Sequence, residues 1–112
     1  MPKKVKSFDE ELYQKVRIVD LILFGINSII ENKEKCTFER LVKECFILFP
    51  GAFSFFQSPQ WPDSRKLDRP LRTLRKRKLI TGSPQTFFSL TKEGKQIAEE
   101  VAKTFRQRKL FK

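Results

Sequence analysis

Between Asp63 and Lys78 the chain places eight lysines and arginines among sixteen residues, against two aspartates. A guanidinium group is a planar fork of donors that fits the paired oxygens of a phosphate or the paired acceptors on a guanine edge, whereas lysine supplies a point charge. The spacing matters as much as the charge. At a helical advance of about 100° per residue, Leu67, Leu71 and Leu74 fall within about 60° of one another. Arg65, Arg69, Arg72 and Lys76 share a sector of similar width, roughly opposite. One helix would therefore offer a leucine stripe to a core and a basic face to a polyanion.

The charge of the whole chain points the same way. Its 112 residues hold 24 Lys and Arg against 13 Asp and Glu, a net charge of +11. The excess is uneven: net +1 over residues 1–36, zero over 37–62, +6 over 63–78 and +4 over 79–112. Such concentration marks a binding element for a dense anion, nucleic acid before an anionic membrane. The plainer reading is a solvated helix face, since charge runs are often only that.

Other chemistries find little support. The chain has no His, and its two cysteines, Cys36 and Cys45, stand nine residues apart without a C-x-x-C pair, so no zinc site is expected. Neither thiol has a histidine to activate it, and there is no paired-carboxylate arrangement or glycine-rich phosphate loop. The expectation is a protein without catalytic activity, cofactor or metal. Two thiols in apolar surroundings point to buried, reduced cysteines and a cytoplasmic location. Met-Pro-Lys-Lys leads into no apolar signal region, and the stretch Leu21 to Ile30 is interrupted by Gly25, Asn27 and Ser28, too short for a membrane span.

The elements that must position the basic run can be read from periodicity. Ser7 and Glu10 have the spacing of a capping box, and Leu12, Val16, Val19, Leu23, Ile26 and Ile30 recur at helical steps, widened by Ile18, Ile22 and Ile29. This predicts a first helix over residues 8–33 whose wide stripe serves either a second chain or the domain's own core. Thr37 caps a second helix carrying Phe38, Leu41, Val42, Cys45, Phe46 and Phe49, ended by Pro50-Gly51. Residues 50–62 form an irregular connector rich in Pro and aromatic residues, with room for a short helical turn. Its rings, Phe53, Phe55, Phe56 and Trp61, could stack on unpaired bases. Pinning the loop to the core is the favoured reading, because the segment carries no positive charge. Asp63 is the cap of the third helix, in which Pro70 predicts a kink or a new start. Leu79 to Thr81 and Thr86 to Leu90 pair around Gly82-Ser83-Pro84-Gln85 as a hairpin, with Phe88 and Leu90 on one face. Thr91 caps a last helix with Ile97, Ala98, Val101, Ala102 and Phe105 on its apolar face. The five basic residues from Lys103 to Lys112 either extend it or fray. The whole reads as one domain with its core over about residues 8–105, and with flexible basic ends at 1–6 and 106–112.

The order helix, helix, helix, hairpin, helix is mainly α with a small β-hairpin. Within it, Ser64 to Ile80 resembles the recognition-helix segment of winged helix-turn-helix proteins of the MarR and PadR kind. Spaced leucines lead into Arg75-Lys76-Arg77-Lys78 and then a Leu79-Ile80 strand. Ser89-Leu90-Thr91-Lys92-Glu93-Gly94 is similar to the Leu-Thr-x-x-Gly return from the wing into the next helix. The likeness covers 64–94 closely and 37–105 in outline. The chain departs from the pattern in its connector of about a dozen residues, in Pro70, and in a wing tip, Ser83 to Thr86, without Arg or Lys.

The resemblance implies double-stranded DNA as partner, with the third helix in the major groove. Arg65, Lys66, Arg69 and Arg72 are then the candidates for base and phosphate contact, with polar help from Ser64 and Thr73. Lys76 and Lys78, and Lys92 and Lys95 near the wing, suit phosphates, whereas Arg75 and Arg77 flank the leucine stripe and could form salt bridges instead. Proteins of this kind commonly dimerise through terminal helices, so a homodimer is expected, with Phe105, Leu110 and Phe111 extending the C-terminal stripe. The function implied is that of a small transcriptional regulator. The competing readings are a winged-helix module for protein interaction within a larger complex and, more weakly, RNA or single-strand binding through the connector rings.

Overall fold

The long first helix expected from the apolar periodicity is broken in two. In the computed structural model, which describes residues 7–110, Glu10–Tyr13 make a single turn, α1, and Ile18–Glu31 make α2, with Arg17 extended between them (φ −64°, ψ 144°). The capping box does not form. The Ser7 hydroxyl donates instead to the Ile47 carbonyl at 2.6 Å, and Asp9 takes the N-cap position without a side-chain bond. The break lets α1 turn back onto the domain, so that Leu12 and Tyr13 are both buried and the Tyr13 hydroxyl accepts from the Gly51 amide at 2.8 Å. Two segments can satisfy one apolar period if both ends face the same core, and Leu12 and Val16 do meet the core that α2 fills.

The stripe of α2 is consumed inside the monomer. Leu21, Ile22, Leu23, Gly25, Ile26, Asn27 and Ile29 are buried, covering almost the whole circumference, while Ile30 at the far end is exposed. Partners surround it. The second helix, α3, spans Phe38–Leu48; a turn, α4, spans Pro50–Phe53; α5 spans Arg65–Lys76; strands β1 and β2 are Ile80–Thr81 and Ser89–Leu90; and α6 runs Lys92–Leu110. Helices α3, α5 and α6 and strand β2 all pack on α2. The described residues are thus mainly helical, with a small two-stranded antiparallel sheet.

Helix α3 starts as the sequence implies, the Thr37 hydroxyl accepting from the Arg40 amide at 3.2 Å. Its buried face holds Leu41, Cys45 and Leu48, and also Glu44, which is 1% exposed. Sequence reading did not single out Glu44. Its carboxylate takes Arg40 Nη1 at 2.8 Å and the Ser28 hydroxyl at 2.7 Å, tying α3 to α2, and Arg40 reaches on to Glu34 at 3.0 Å. Below this, Phe8, Phe24, Phe49 and Phe105 converge with ring centroids 4.8–5.9 Å apart, largely edge-on or tilted, and Tyr13 and Phe53 flank Phe49. Large flat rings fill the junction of α2, α3 and α6 that shorter side chains would leave void.

The hairpin pairs Ile80 with Leu90 and Thr81 with Ser89, and Phe88 bridges to Cys36 on its other side, donating its amide to the Cys36 carbonyl at 2.8 Å. Gly82 turns the chain at φ +98°, where a Cβ would strike the Phe87 carbonyl. Thr91 then stitches hairpin to helix: its amide bonds to the Leu79 carbonyl at 3.1 Å, its hydroxyl to the Lys78 carbonyl at 2.9 Å, and that hydroxyl accepts from the Gly94 amide at 3.2 Å. Gly94 lies flat against β1's approach, where an added Cβ would stand 2.0 Å from the Leu79 carbonyl oxygen. Helix α6 continues to Leu110, five residues into the segment expected to be a loose basic end. Residues 1–6, and Phe111 of the C-terminal stripe, lie outside the described residues, while Ala98, Val101 and Phe105 of that stripe are buried in the monomer.

Two stability outcomes follow. Gly94→Ala should lower stability by about 1–3 kcal/mol in denaturant unfolding, because the backbone clash outweighs the roughly 1 kcal/mol by which alanine is the better helix former. Arg40→Met strands the buried Glu44 carboxylate and should cost about 3 kcal/mol, whereas Arg40→Met combined with Glu44→Leu should recover most of that loss.

Candidate nucleic-acid interface

Helix α5 is one uninterrupted segment through Pro70. Pro70 falls on the sixth helical residue and removes one donor, but neither a break nor a second start results. Asp63 acts as the cap that its position implies. Ser64 already has helical dihedrals and makes no side-chain cap, while Asp63 Oδ1 accepts from the Arg65 amide at 3.1 Å and the Asp63 carbonyl from the Lys66 amide at 3.1 Å. At the other end the Leu79 amide returns to the Leu74 carbonyl and the Lys78 amide to Arg75, the Schellman pattern, with Lys78 in the left-handed region at φ +59°. Buried Leu79 and Leu74 close the same turn as the apolar contact of that motif.

Leu67, Leu71 and Leu74 are at most 2% exposed, packed toward α2. With the stripe inward, the opposite face is left to water: Arg69, Arg72, Thr73, Arg75, Lys76, Arg77 and Lys78 are all exposed. The cations divide into two groups. Arg65 and Lys66 are engaged with the segment before the helix. Arg65 Nε lies 3.1 Å from Asp63 Oδ1 and its guanidinium stands 5.3 Å from the centre of the Phe55 ring, while Lys66 Nζ donates to the Ser54 carbonyl at 2.8 Å. The Arg65 charge holds the Asp63 carboxyl below its ordinary range, chiefly through the side-chain hydrogen bond. Arg72 reaches Asp68 only at 3.8 Å, with both side chains about two-thirds exposed, a pair worth little in water. Among the described residues, Arg69, Arg75, Lys76, Arg77 and Lys78 make no ion pair. Arg75 and Arg77, which the spacing set beside the leucines, therefore belong to the exposed charge; the density of the run was the signal for them.

Ser64, Lys92 and Lys95 are exposed too. Lys92 and Lys95 sit in the first turn of α6, where a cation gains nothing from the helix dipole. The hairpin tip is neutral and internally bonded, the Ser83 amide donating to the Thr86 hydroxyl at 3.1 Å and the Thr86 amide to the Ser83 carbonyl at 3.0 Å. Beside it the Phe87 ring, half-exposed, carries Lys35 Nζ 4.9 Å from its centre.

The connector differs from the favoured expectation. Phe53 is buried and pins the chain, but Phe56 is 93% exposed and Trp61 62%. Positive charge, absent from residues 50–62, reaches the segment from α5 at the Phe55 ring and the Ser54 carbonyl, through Arg65 and Lys66. The thiols offer no chemistry to this surface: both are buried, and burial pushes Cys36 up to about 12 and Cys45 well above the ordinary thiol range. Among the described residues no cluster of His, Cys, Asp or Glu could hold a metal ion, and no helix is long and apolar enough to cross a membrane.

Comparison with protein-family models, with curated proteins and with solved structures finds no match to this chain.

The division of labour along α5 can be measured. Asp63→Ala removes a cap and should cost about 1 kcal/mol of stability. Arg69→Ala and Arg72→Ala, on the solvent face, should each stay within about 0.5 kcal/mol of the parent in the same unfolding titration.

Proposed function

We propose that the chain is a winged helix-turn-helix domain that binds double-stranded DNA through α5, in the manner of a small transcriptional regulator. The observation that carries this reading is the separation of faces on α5: three buried leucines on one side, and on the other a set of exposed cations most of which have no acidic partner among the described residues. Surface arginines of purely structural use are normally paired or laid over apolar neighbours. Arg69, Arg75 and Arg77 make no ion pair among the described residues and Arg72 only the 3.8 Å contact to Asp68, and an α-helix with such a face fits the major groove. In this reading α3 and α5 are the two helices of the motif, β1 and β2 the wing, and α6 the support. Arg69 and Arg72 are placed to meet base edges or phosphates, and Lys76 and Lys78, with Lys92 and Lys95, to meet phosphates. Arg65 and Lys66 first position the connector. The neutral tip of the wing gives it no role in reading the minor groove by charge.

The homodimer belongs to the same proposal, since a two-fold pair would set two α5 helices on successive grooves. The pairing in this reading runs through the terminal helices, at faces other than the buried α2 stripe and the buried Ala98, Val101 and Phe105 of α6. The reading as a module for protein interaction draws on one observation, the exposed rings Phe56 and Trp61.

Titration of a labelled duplex across a salt series tests the main reading. Affinity should fall steeply as salt rises, because bound phosphates release counterions. The Arg69→Ala, Arg72→Ala double variant should bind more weakly, with the slope of log K on log salt shallower by about two. Negligible binding at low salt, or a folded double variant that binds like the parent, would overturn it.

A further inference from the structure

The connector tip is built, and what it displays has no use inside the monomer. Ser54 and Pro62 form an antiparallel bridge, the Phe55 amide bonds to the Trp61 carbonyl at 3.0 Å, and the Trp61 amide returns to the Ser58 carbonyl at 3.0 Å. Immediately outside the bridge the Asp63 amide bonds to the Phe53 carbonyl at 2.8 Å. Residues 54–62 are thus a closed loop, fastened at its base by buried Phe53 and to the start of α5 by Lys66 on the Ser54 carbonyl and Arg65 over the Phe55 ring. A loop held this firmly still leaves Phe56 and Trp61 in water. Phe56 buries almost none of its surface and Trp61 only part of it. The closed loop holds the backbone that carries the rings, which lowers the ordering that binding a flat ligand costs.

We propose that Phe56 and Trp61 stack on unpaired bases at the edge of the duplex held by α5, so that the preferred ligand is a duplex that opens into single strand. This rests on the DNA reading above. Charge complementarity selects the occupant. The loop itself is neutral, and Arg65, which also pairs with Asp63, and Lys66 bring positive charge to it from the head of the basic run. An unpaired nucleotide brings a ring face for the aromatics and a phosphate for the cations in one ligand, the combination by which single strands are held. An apolar protein segment would fit the rings but would make nothing of the charge beside them.

Trp61 is the chain's single tryptophan, so stacking on it can be watched directly. The experiment compares a blunt duplex with the same duplex ending in a fork of unpaired thymines. Both are titrated by anisotropy with the parent, Phe56→Ala, and the Phe56→Ala, Trp61→Ala double variant, and by Trp61 emission with the first two. The fork should bind about tenfold tighter than the blunt duplex, about 1.4 kcal/mol, and quench Trp61 as bases stack on it. Phe56→Ala should lose part of the gain. The double variant, whose thermal midpoint should hold because both rings are exposed, should bind fork and blunt duplex alike. If the blunt duplex binds in a salt-sensitive way but the fork binds no tighter and leaves the emission unchanged, this inference fails while the reading of α5 stands, and the rings fall to a protein partner. If neither DNA binds at low salt, both fail together.

Discussion

The middle of α2 has water on almost no side. Leu21, Ile22, Leu23, Ile26 and Ile29 are all within 1% of complete burial, and the surfaces that exclude water from them come from α3, α5, α6 and β2 at once. No two of these elements could cover the helix without the rest. A chain of this length has one core to spend its apolar residues on, and here that core is a sleeve around a single helix. Removing one side of the sleeve exposes a part of α2 that every other element also leans on.

The placement of α5 follows from that constraint. Its three leucines are the share of the sleeve it supplies, and a helix committed on one face must present the other. Because the leucines and the cations lie in opposite sectors, docking of the leucine stripe turns the basic face outward without any further interaction to aim it. The ends are fixed separately: Asp63 caps the start, and the return of Leu79 to Leu74 closes the finish and delivers the chain into β1. Gly94 and Thr91 lock α6 to the same point. The basic face is therefore held at both ends and along its back. That is the rigidity a surface needs to meet a ligand in one orientation.

The polar interior shows how little of the domain is left to chance. Glu44 would be a costly residue to bury alone, but Arg40 and Ser28 satisfy it, and Arg40 is itself steadied by Glu34. The bonds of this group reach from α2 through the bend before α3 to the middle of α3. They fix the register of two helices whose contact is otherwise apolar and could slide.

What the sequence determined by itself was whatever depends on neighbours close along the chain. The periodicities set the segments that became α3, α5 and α6. Thr37, Asp63 and Thr91 marked their starts, and Leu67, Leu71 and Leu74 against Arg69, Arg72 and Lys76 fixed the two faces of α5. Local rules suffice there because caps and stripes act over one or two turns. The tertiary structure decided the rest. It broke the first helix at Arg17, because α1 could bury Leu12 and Tyr13 only by turning back, and it took Ser7 for Ile47, a partner forty residues away. It carried α5 through Pro70, since packing of the leucine stripe outweighs one missing backbone bond. It buried Glu44 and brought the Ser28 hydroxyl of α2 to a carboxylate that Arg40 pairs from one turn away on the same helix. It also put Arg65 and Lys66 against a connector that holds no charge of its own, leaving Phe56 and Trp61 in water. These outcomes depend on which distant groups meet, and no spacing along the chain records that.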